Sequence, residues 1–184
     1  MVADADHKVR AIIDRLGHRS MHVLCTYEFD YEDLVDTIEQ SPSDWFWWVR
    51  IHPCRQQDRS TLRNLLVSKG ISNYDLDDAT DLPLYALLRT VDVHLTEYSS
   101  TVIEATAFGV PSVITRKAGF EAFPAQVASG WAVAAFQRQL AVEALRSQGE
   151  RRSWLPRSVP AADINLHDTL ATLFPALKKR SIHD

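Results

Sequence analysis

The segment from Thr96 to Ile114 limits the fold more than any other part of this chain. An apolar run, Val91-Asp92-Val93-His94-Leu95, ends at Thr96, and a hydroxyl-rich turn with Ser99, Ser100 and Thr101 follows. Gly109-Val110-Pro111 then closes a helical stretch and leads into Ser112-Val113-Ile114. Glycine just past a helix tolerates the left-handed backbone that ends it, and proline cannot continue one. The spacing predicts a strand over 91–96, a helix from Ser99 to Phe108 and a strand over 111–115. Strands joined through so compact a helix run parallel, because a parallel pair needs a crossover where an antiparallel pair needs only a hairpin.

The same rhythm extends in both directions. Residues 20–27 read as a first strand, 31–40 as a helix with Leu34, Val35 and Ile38 on one face, and Trp45 to Ile51 as a strand covered on both faces. Pro53 ends that strand. A polar helix over 58–69 stopped by Gly70, a short third strand over 71–76 and a helix starting at Leu82 with Pro83 early in it come next. A short helix over 120–129, a sixth strand over 131–134 and a helix over 137–147 complete the alternation. The fold class is therefore α/β, a Rossmann-like three-layer sandwich with a parallel sheet of about six strands. Residues 1–150 are expected to form a Rossmann-like nucleotide-binding domain, and 151–184 a linker and C-terminal helix. Gln148 to Pro160, with Gly149, Pro156 and Pro160, is the linker candidate. A helix over 163–174 would pack on this domain or on a partner domain.

Composition narrows the class of protein. A chain of 184 residues suits one ordinary domain and leaves no room for a second Rossmann unit. A hydrophobic content of 46% with 24% charged residues excludes a disordered chain, and no apolar run reaches membrane-spanning length. Residues 1–10 carry Asp4, Asp6, His7 and Lys8, which is no secretory signal, so a cytoplasmic location is expected. The net charge of −4, with both signs mixed along the chain, gives no footprint for nucleic acid. Cys25 and Cys54 lack metal-site or disulfide spacing and read as small apolar side chains near strand ends; no metal is expected.

Ligands of an open parallel sheet bind beyond the carboxyl ends of its strands. After the first strand these positions hold Tyr27, Glu28, Phe29 and Asp30, after the second His52 and Pro53, and after the fourth Glu97, Tyr98, Ser99 and Ser100. A helix beginning at serines exposes backbone N–H groups and a positive dipole end, which suits an anion. Thr101 adds a hydroxyl, and Glu104 one turn on can accept from sugar hydroxyls. His52 can donate to a phosphate oxygen in either protonation state, with Pro53 stiffening its exit from the strand. Glu28 and Asp30 are possible crevice acids. There is neither a G-x-G-x-x-G fingerprint nor a Walker loop, so nicotinamide dehydrogenases and P-loop NTPases lose their usual support.

Leu82 to Leu87, Val91-Asp92-Val93, Thr96, Ser99-Ser100, Glu104-Ala105 and Gly109-Val110-Pro111 together resemble the donor-binding half of GT-B glycosyltransferases. His52-Pro53 ahead of Ser99-Ser100 is similar in order to bacterial sialyltransferases, polysialyltransferases and related capsule or teichoic-acid polymerases. The resemblance implies two Rossmann-like domains across a cleft, with a CMP-, CDP- or UDP-linked sugar donor as substrate and no further cofactor. It implies that His52 contacts the donor phosphate and stabilises the departing nucleotide, that Ser99, Ser100 and Thr101 bind phosphate, and that Glu104 binds ribose. The base would be read by backbone at about residues 73–82. Glu97 and Glu104 stand one residue closer than the paired glutamates of common retaining GT-B enzymes. In the sialyltransferase-like relatives the general base comes from the N-terminal acceptor domain, which a missing domain or a separate subunit would have to supply. The expectation is a donor-binding half of a transferase in bacterial surface polysaccharide biosynthesis, inactive alone and peripheral to the inner membrane only through a partner. Two rivals remain open: half of a nucleotide-sugar 2-epimerase, and a non-catalytic interaction module whose serines are helix caps.

Overall fold

The computed structural model describes residues 2–27 and 30–153. Glu28 and the expected helix over 163–174 lie outside the described residues. Six strands pair in parallel in the order β3-β2-β1-β4-β5-β6: β1 (Met21–Tyr27), β2 (Trp45–Ile51), β3 (Tyr74–Asp75), β4 (Val93–Thr96), β5 (Ser112–Ile114) and β6 (Ala132–Ala134). The expected α/β Rossmann-like sandwich is what the chain forms.

Both faces of the sheet are covered, which is why its central strands read as unbroken apolar runs. Trp45, Trp47, Val49 and Ile51 of β2 join one core cluster with Leu34 and Ile38 of α2 (Tyr31–Glu39), Leu62 and Leu66 of α3 (Arg59–Ser68), and Ala141 and Leu145 of α9 (Arg138–Ser153). Phe46 and Trp48 face the other way, onto Val9 and Ile12 of α1 (Val2–Leu16), Ala79 of α4 (Asp77–Asp81), Leu87 of α5 (Leu84–Leu88) and Ala105 of α6 (Thr101–Ala107). Trp47 and Trp48 are fully buried, yet their indole N–H groups donate to Ser41 Oγ at 3.2 Å and His22 Nδ1 at 3.3 Å. Burial of both rings therefore leaves neither donor unsatisfied. No helix of the described residues is long and apolar enough to cross a membrane.

Several expected boundaries move for physical reasons. The N-terminal stretch, unassigned from sequence, is helix α1, seated by Ala5, Val9 and Ile12 at helical spacing. Residues 77–81 form an additional short helix, and Pro83 flanks α5 at its N-cap rather than lying inside a helix. The helix expected over 120–129 divides at Phe123 into α7 (Lys117–Ala122) and α8 (Pro124–Ala128). Helix α9 continues through Gln148 to Ser153, so the first part of the expected linker is helical. Gly149 is there for contact: a Cβ at this position would lie 2.4 Å from Met21 Cε.

The far end of α9 is fastened as well. Arg151 stacks over the Trp131 ring at 5.4 Å and donates to the Gly130 carbonyl, while Arg152, 3% exposed, lies against Gly109. At its start, Arg138 pairs with Asp33 and Asp36 of α2.

Candidate functional site

In this strand order the chain reverses direction across the sheet between β1 and β4, and a crevice opens beyond the carboxyl ends of the strands at that reversal. Its volume is about 270 Å³. The end of β1 supplies Thr26 and Tyr27, the end of β2 Arg50, Ile51, His52 and Pro53, and the start of α5 Leu84. The turn after β4 and the first helical residues supply Ser99, Ser100, Thr101 and Glu104. Residues about fifty positions apart in sequence thus line one space, as parallel strands with local crossovers require.

His52 is held in extended backbone (φ −61°, ψ 140°) at the mouth of a 3₁₀ turn over Pro53–Asp58, and its Nδ1 accepts from the Cys54 N–H at 3.3 Å. In the neutral ring the proton then sits on Nε2, which is the nitrogen able to donate to a phosphate oxygen. Cys54 is exposed in this turn, so the expectation of an apolar packing role holds only for buried Cys25. Burial pushes the Cys25 thiol far above its ordinary range.

The start of α6 departs from the expected cradle of open N–H groups. Ser99 Oγ accepts from Thr101 N at 3.3 Å and donates to Thr101 Oγ1 at 3.0 Å, while Val102 N donates to Ser99 O and Ile103 N to Ser100 O. The first-turn N–H groups of residues 101–103 therefore already have acceptors. The helix spans only seven residues, so its dipole is that of about two turns. What this end offers an anion is chiefly hydroxyl: Ser100 is exposed, Ser99 and Thr101 are buried at its edge.

Glu104 stands one turn further along α6 with solvent on one side and protein on the other. Partial burial raises its carboxyl above the ordinary range, and the positive charge of Arg50 opposes that rise. Arg50 is the residue that sequence reasoning passed over. It is the one charged side chain in an otherwise apolar strand, the signal that could have marked it. Burial lowers its pKa, and the charges of Asp81 and Glu104 act in the opposite sense.

The acids proposed after β1 do not join the crevice where they are described. Asp30 caps α2 by accepting from Asp33 N at 2.9 Å, and its other oxygen takes Arg116 at 2.7 Å. A carboxylate committed to a helix cap and a guanidinium is poorly placed as a base, which corrects the reading of Asp30 as a crevice acid. Glu28 lies outside the described residues. Glu97 is 1% exposed, with Oε1 3.3 Å from Arg116 Nε, and does not line the crevice beside Glu104.

Beneath the crevice the sheet carries a buried polar ladder. His94 lies between Thr26 Oγ1, 2.8 Å from Nε2, and Ser112 Oγ, 3.0 Å from Nδ1, and Thr96 Oγ1 donates to Thr26 O at 2.8 Å. The ladder joins β1, β4 and β5 and fixes Thr26 at the crevice floor. Among the described residues no group of three or more His, Cys, Asp or Glu is placed to hold a metal ion.

No protein-family model matches the sequence, and no curated protein matches it. Among solved structures, the fold is similar to that of UDP-GlcNAc 2-epimerase from Neisseria meningitidis bound to UDP-GlcNAc, with a TM-score of 0.52 over 85% of this chain at 14% identity. This chain spans 47% of that protein, about half its length. The likeness is one of fold: the chain is an α/β Rossmann-like domain similar in architecture to about half of that epimerase.

Proposed function

We propose that this chain binds a nucleotide-sugar donor and is the donor half of a GT-B-type glycosyltransferase acting in bacterial surface polysaccharide biosynthesis. The observation that carries the reading is the convergence of His52, Ser99, Ser100, Thr101 and Glu104 from separate strand ends onto one crevice. A nucleotide sugar needs hydrogen-bond donors for its phosphates and an acceptor for its ribose hydroxyls. His52 Nε2–H and the Ser100 and Thr101 hydroxyls meet the first need, with Ser99 Oγ holding Thr101 in place, and the Glu104 carboxylate meets the second.

Transfer needs a base for the acceptor hydroxyl and stabilisation of the departing phosphate. The crevice residues provide the second: His52 and the hydroxyls donate to the phosphate as its charge grows. Among the described lining residues Glu104 is the only carboxylate, and it is assigned to ribose. The base is therefore expected from an acceptor domain in another part of the protein or in a separate subunit. Assembly of the polymer at the inner membrane is the expected setting, reached through that partner.

The fold likeness favours a second reading, half of a nucleotide-sugar 2-epimerase. Incubation with UDP-N-acetylglucosamine once the other half is restored separates the two, since only an epimerase yields the 2-epimer without an acceptor.

Titration of the chain with CMP, CDP, UDP and GDP tests the binding reading directly. At a hundredfold excess over Kd a ligand adds about 2.7 kcal/mol, which for a domain of this size raises Tm by about 5–10 °C. At least one nucleotide is expected to do so, and His52→Ala is expected to weaken that nucleotide about tenfold through loss of a hydrogen bond to a charged group. A flat Tm across the four nucleotides at millimolar concentration would overturn the proposal.

A further inference from the structure

Arg50 does more than place a charge near Glu104. We infer that it is a positioning residue: its guanidinium clasps the end of α4 to the end of β2 and thereby sets the crevice wall against which the nucleoside lies. The inference rests on the nucleotide reading and deepens it by naming what holds the nucleoside side of the site.

The geometry is specific. Arg50 Nη1 donates to the carbonyl of Ala79 at 2.7 Å and to that of Leu82 at 2.6 Å. Ala79 belongs to α4 and Leu82 follows its last residue, so these carbonyls form the electronegative end of the helix, where a cation is favoured. The next residue of β2 adds a second thread, Ile51 N donating to Thr80 Oγ1 at 3.2 Å. Two successive residues of β2 thus grip one turn of α4, and the residue after them is His52.

Helix α4 needs such a grip. It has five residues, and a helix of that length has no stability of its own; Asp75 Oδ1 caps its start by accepting from the Ala79 N–H at 2.7 Å, which leaves its carbonyl end to Arg50. Its outer side is tied to α3 by Arg59 with Asp81 and Arg63 with Asp77, each at 2.6 Å, but Asp77 and Asp81 are largely exposed, so these pairs are weak and screened by salt. The Arg50 bonds lie on the inner side, where water competes less. They fix the Leu82 carbonyl, and two residues on Leu84 lines the crevice. Leu82 itself is anchored in the cluster that holds Phe46 and Trp48. With Nη1 engaged in this way, Arg50 orients the 79–84 segment toward a base or ribose lodged beside Glu104.

Arg50→Met keeps the alkyl stem and removes the donors, and Arg50→Lys restores a charged donor. Amide hydrogen exchange in the ligand-free protein reads the clasp whether or not any nucleotide binds. Exchange at Leu82 and Ala86 is expected to quicken about tenfold in Arg50→Met, to return most of the way in Arg50→Lys, and to stay unchanged at Leu95 and Val113. Unchanged exchange at Leu82 and Ala86 overturns the clasp. Binding then separates wall from ligand contact: Arg50→Met is expected to weaken the preferred nucleotide at least about tenfold while leaving inorganic pyrophosphate within about twofold of wild type. Equal losses for nucleotide and pyrophosphate would make Arg50 a direct phosphate ligand and overturn the positioning role. Should Arg50→Met fail to fold, the same two measurements on Arg50→Lys and Arg50→Gln decide, with lysine expected to exceed glutamine in both protection and affinity. Absence of nucleotide binding by the wild-type protein, together with faster exchange in Arg50→Met, sinks the nucleotide reading, and with it the part assigned to the wall, while leaving the α4 contact intact.

Discussion

Gly119→Ala is expected to destabilise the domain by about 3 kcal/mol, lowering Tm by about 10 °C, a large effect for one added methyl group. A Cβ at Gly119 would stand 2.0 Å from the Glu97 carbonyl oxygen, 3.1 Å from its carbon and 3.0 Å from Ile114 Cγ2. Two of these atoms are backbone and cannot rotate away, so relief requires α7 to lift from the end of β4. That displacement would pass into Tyr98-Ser99-Ser100, the turn that lines the crevice, and weaken nucleotide binding along with stability. Gly70→Ala is the control: its φ of +69° strains an alanine, yet nothing lies within 4 Å of the new Cβ. It should cost about 1 kcal/mol and leave binding unchanged. Urea denaturation of both variants decides the matter, and a Gly119→Ala loss no larger than the Gly70→Ala loss would refute the packing account.

Acid should cost this domain stability through a single buried ring. His94 is 0% exposed and its pKa is lowered to about 3 by burial, because nothing at that depth hydrates an imidazolium. One nitrogen donates and the other accepts between Thr26 and Ser112, which only the neutral ring can do. In the unfolded chain the same ring takes its proton near pH 6.5, so between pH 6.5 and about 3 the unfolded state binds the proton and the folded state does not. The stability is full above the unfolded pKa and is lost as pH falls through this window, by about 1.4 kcal/mol per pH unit. Two units of acidification below pH 6.5 should therefore remove about 2.7 kcal/mol. His94→Gln retains a donor and an acceptor but cannot titrate, and its stability should fall with a correspondingly shallower slope. Parallel slopes for the two proteins in urea titrations at pH 7.5, 5.5 and 4.5 would show that His94 is not the group responsible.

The sheet was legible because strand signals and stop signals agreed. Trp45 to Ile51 is too apolar and too short for anything but a strand covered on both faces, and Gly109-Val110-Pro111 closes α6 without ambiguity. Placing His52, Ser99, Ser100, Thr101 and Glu104 in one crevice required only that parallel strands present their carboxyl ends on the same side. What escaped notice depends on contacts that no local pattern encodes. Gly149 reads as a breaker in isolation, yet inside α9 it makes room for Met21. Asp30 reads as a free acid until Arg116, distant in sequence, arrives beside it. The first turn of α6 reads as a set of open donors, but Ser99 turns back and occupies one of them. Arg50 was obscured by the tryptophans around it, although a lone cation closing an apolar strand is itself a signal that it has a partner.

Helix α9 bears on how this protein is made. Its Ala141 and Leu145 share a core cluster with Met21, Val23, Leu95 and Val113, so the last described helix covers the middle of a sheet whose first strand is synthesised long before it. During translation β1 can pair with β2 early, but its other edge waits for β4 and one face of both waits for α9. A nascent chain stalled anywhere between residues 100 and 140 would display that apolar face to solvent, a surface that aggregates unless a chaperone covers it.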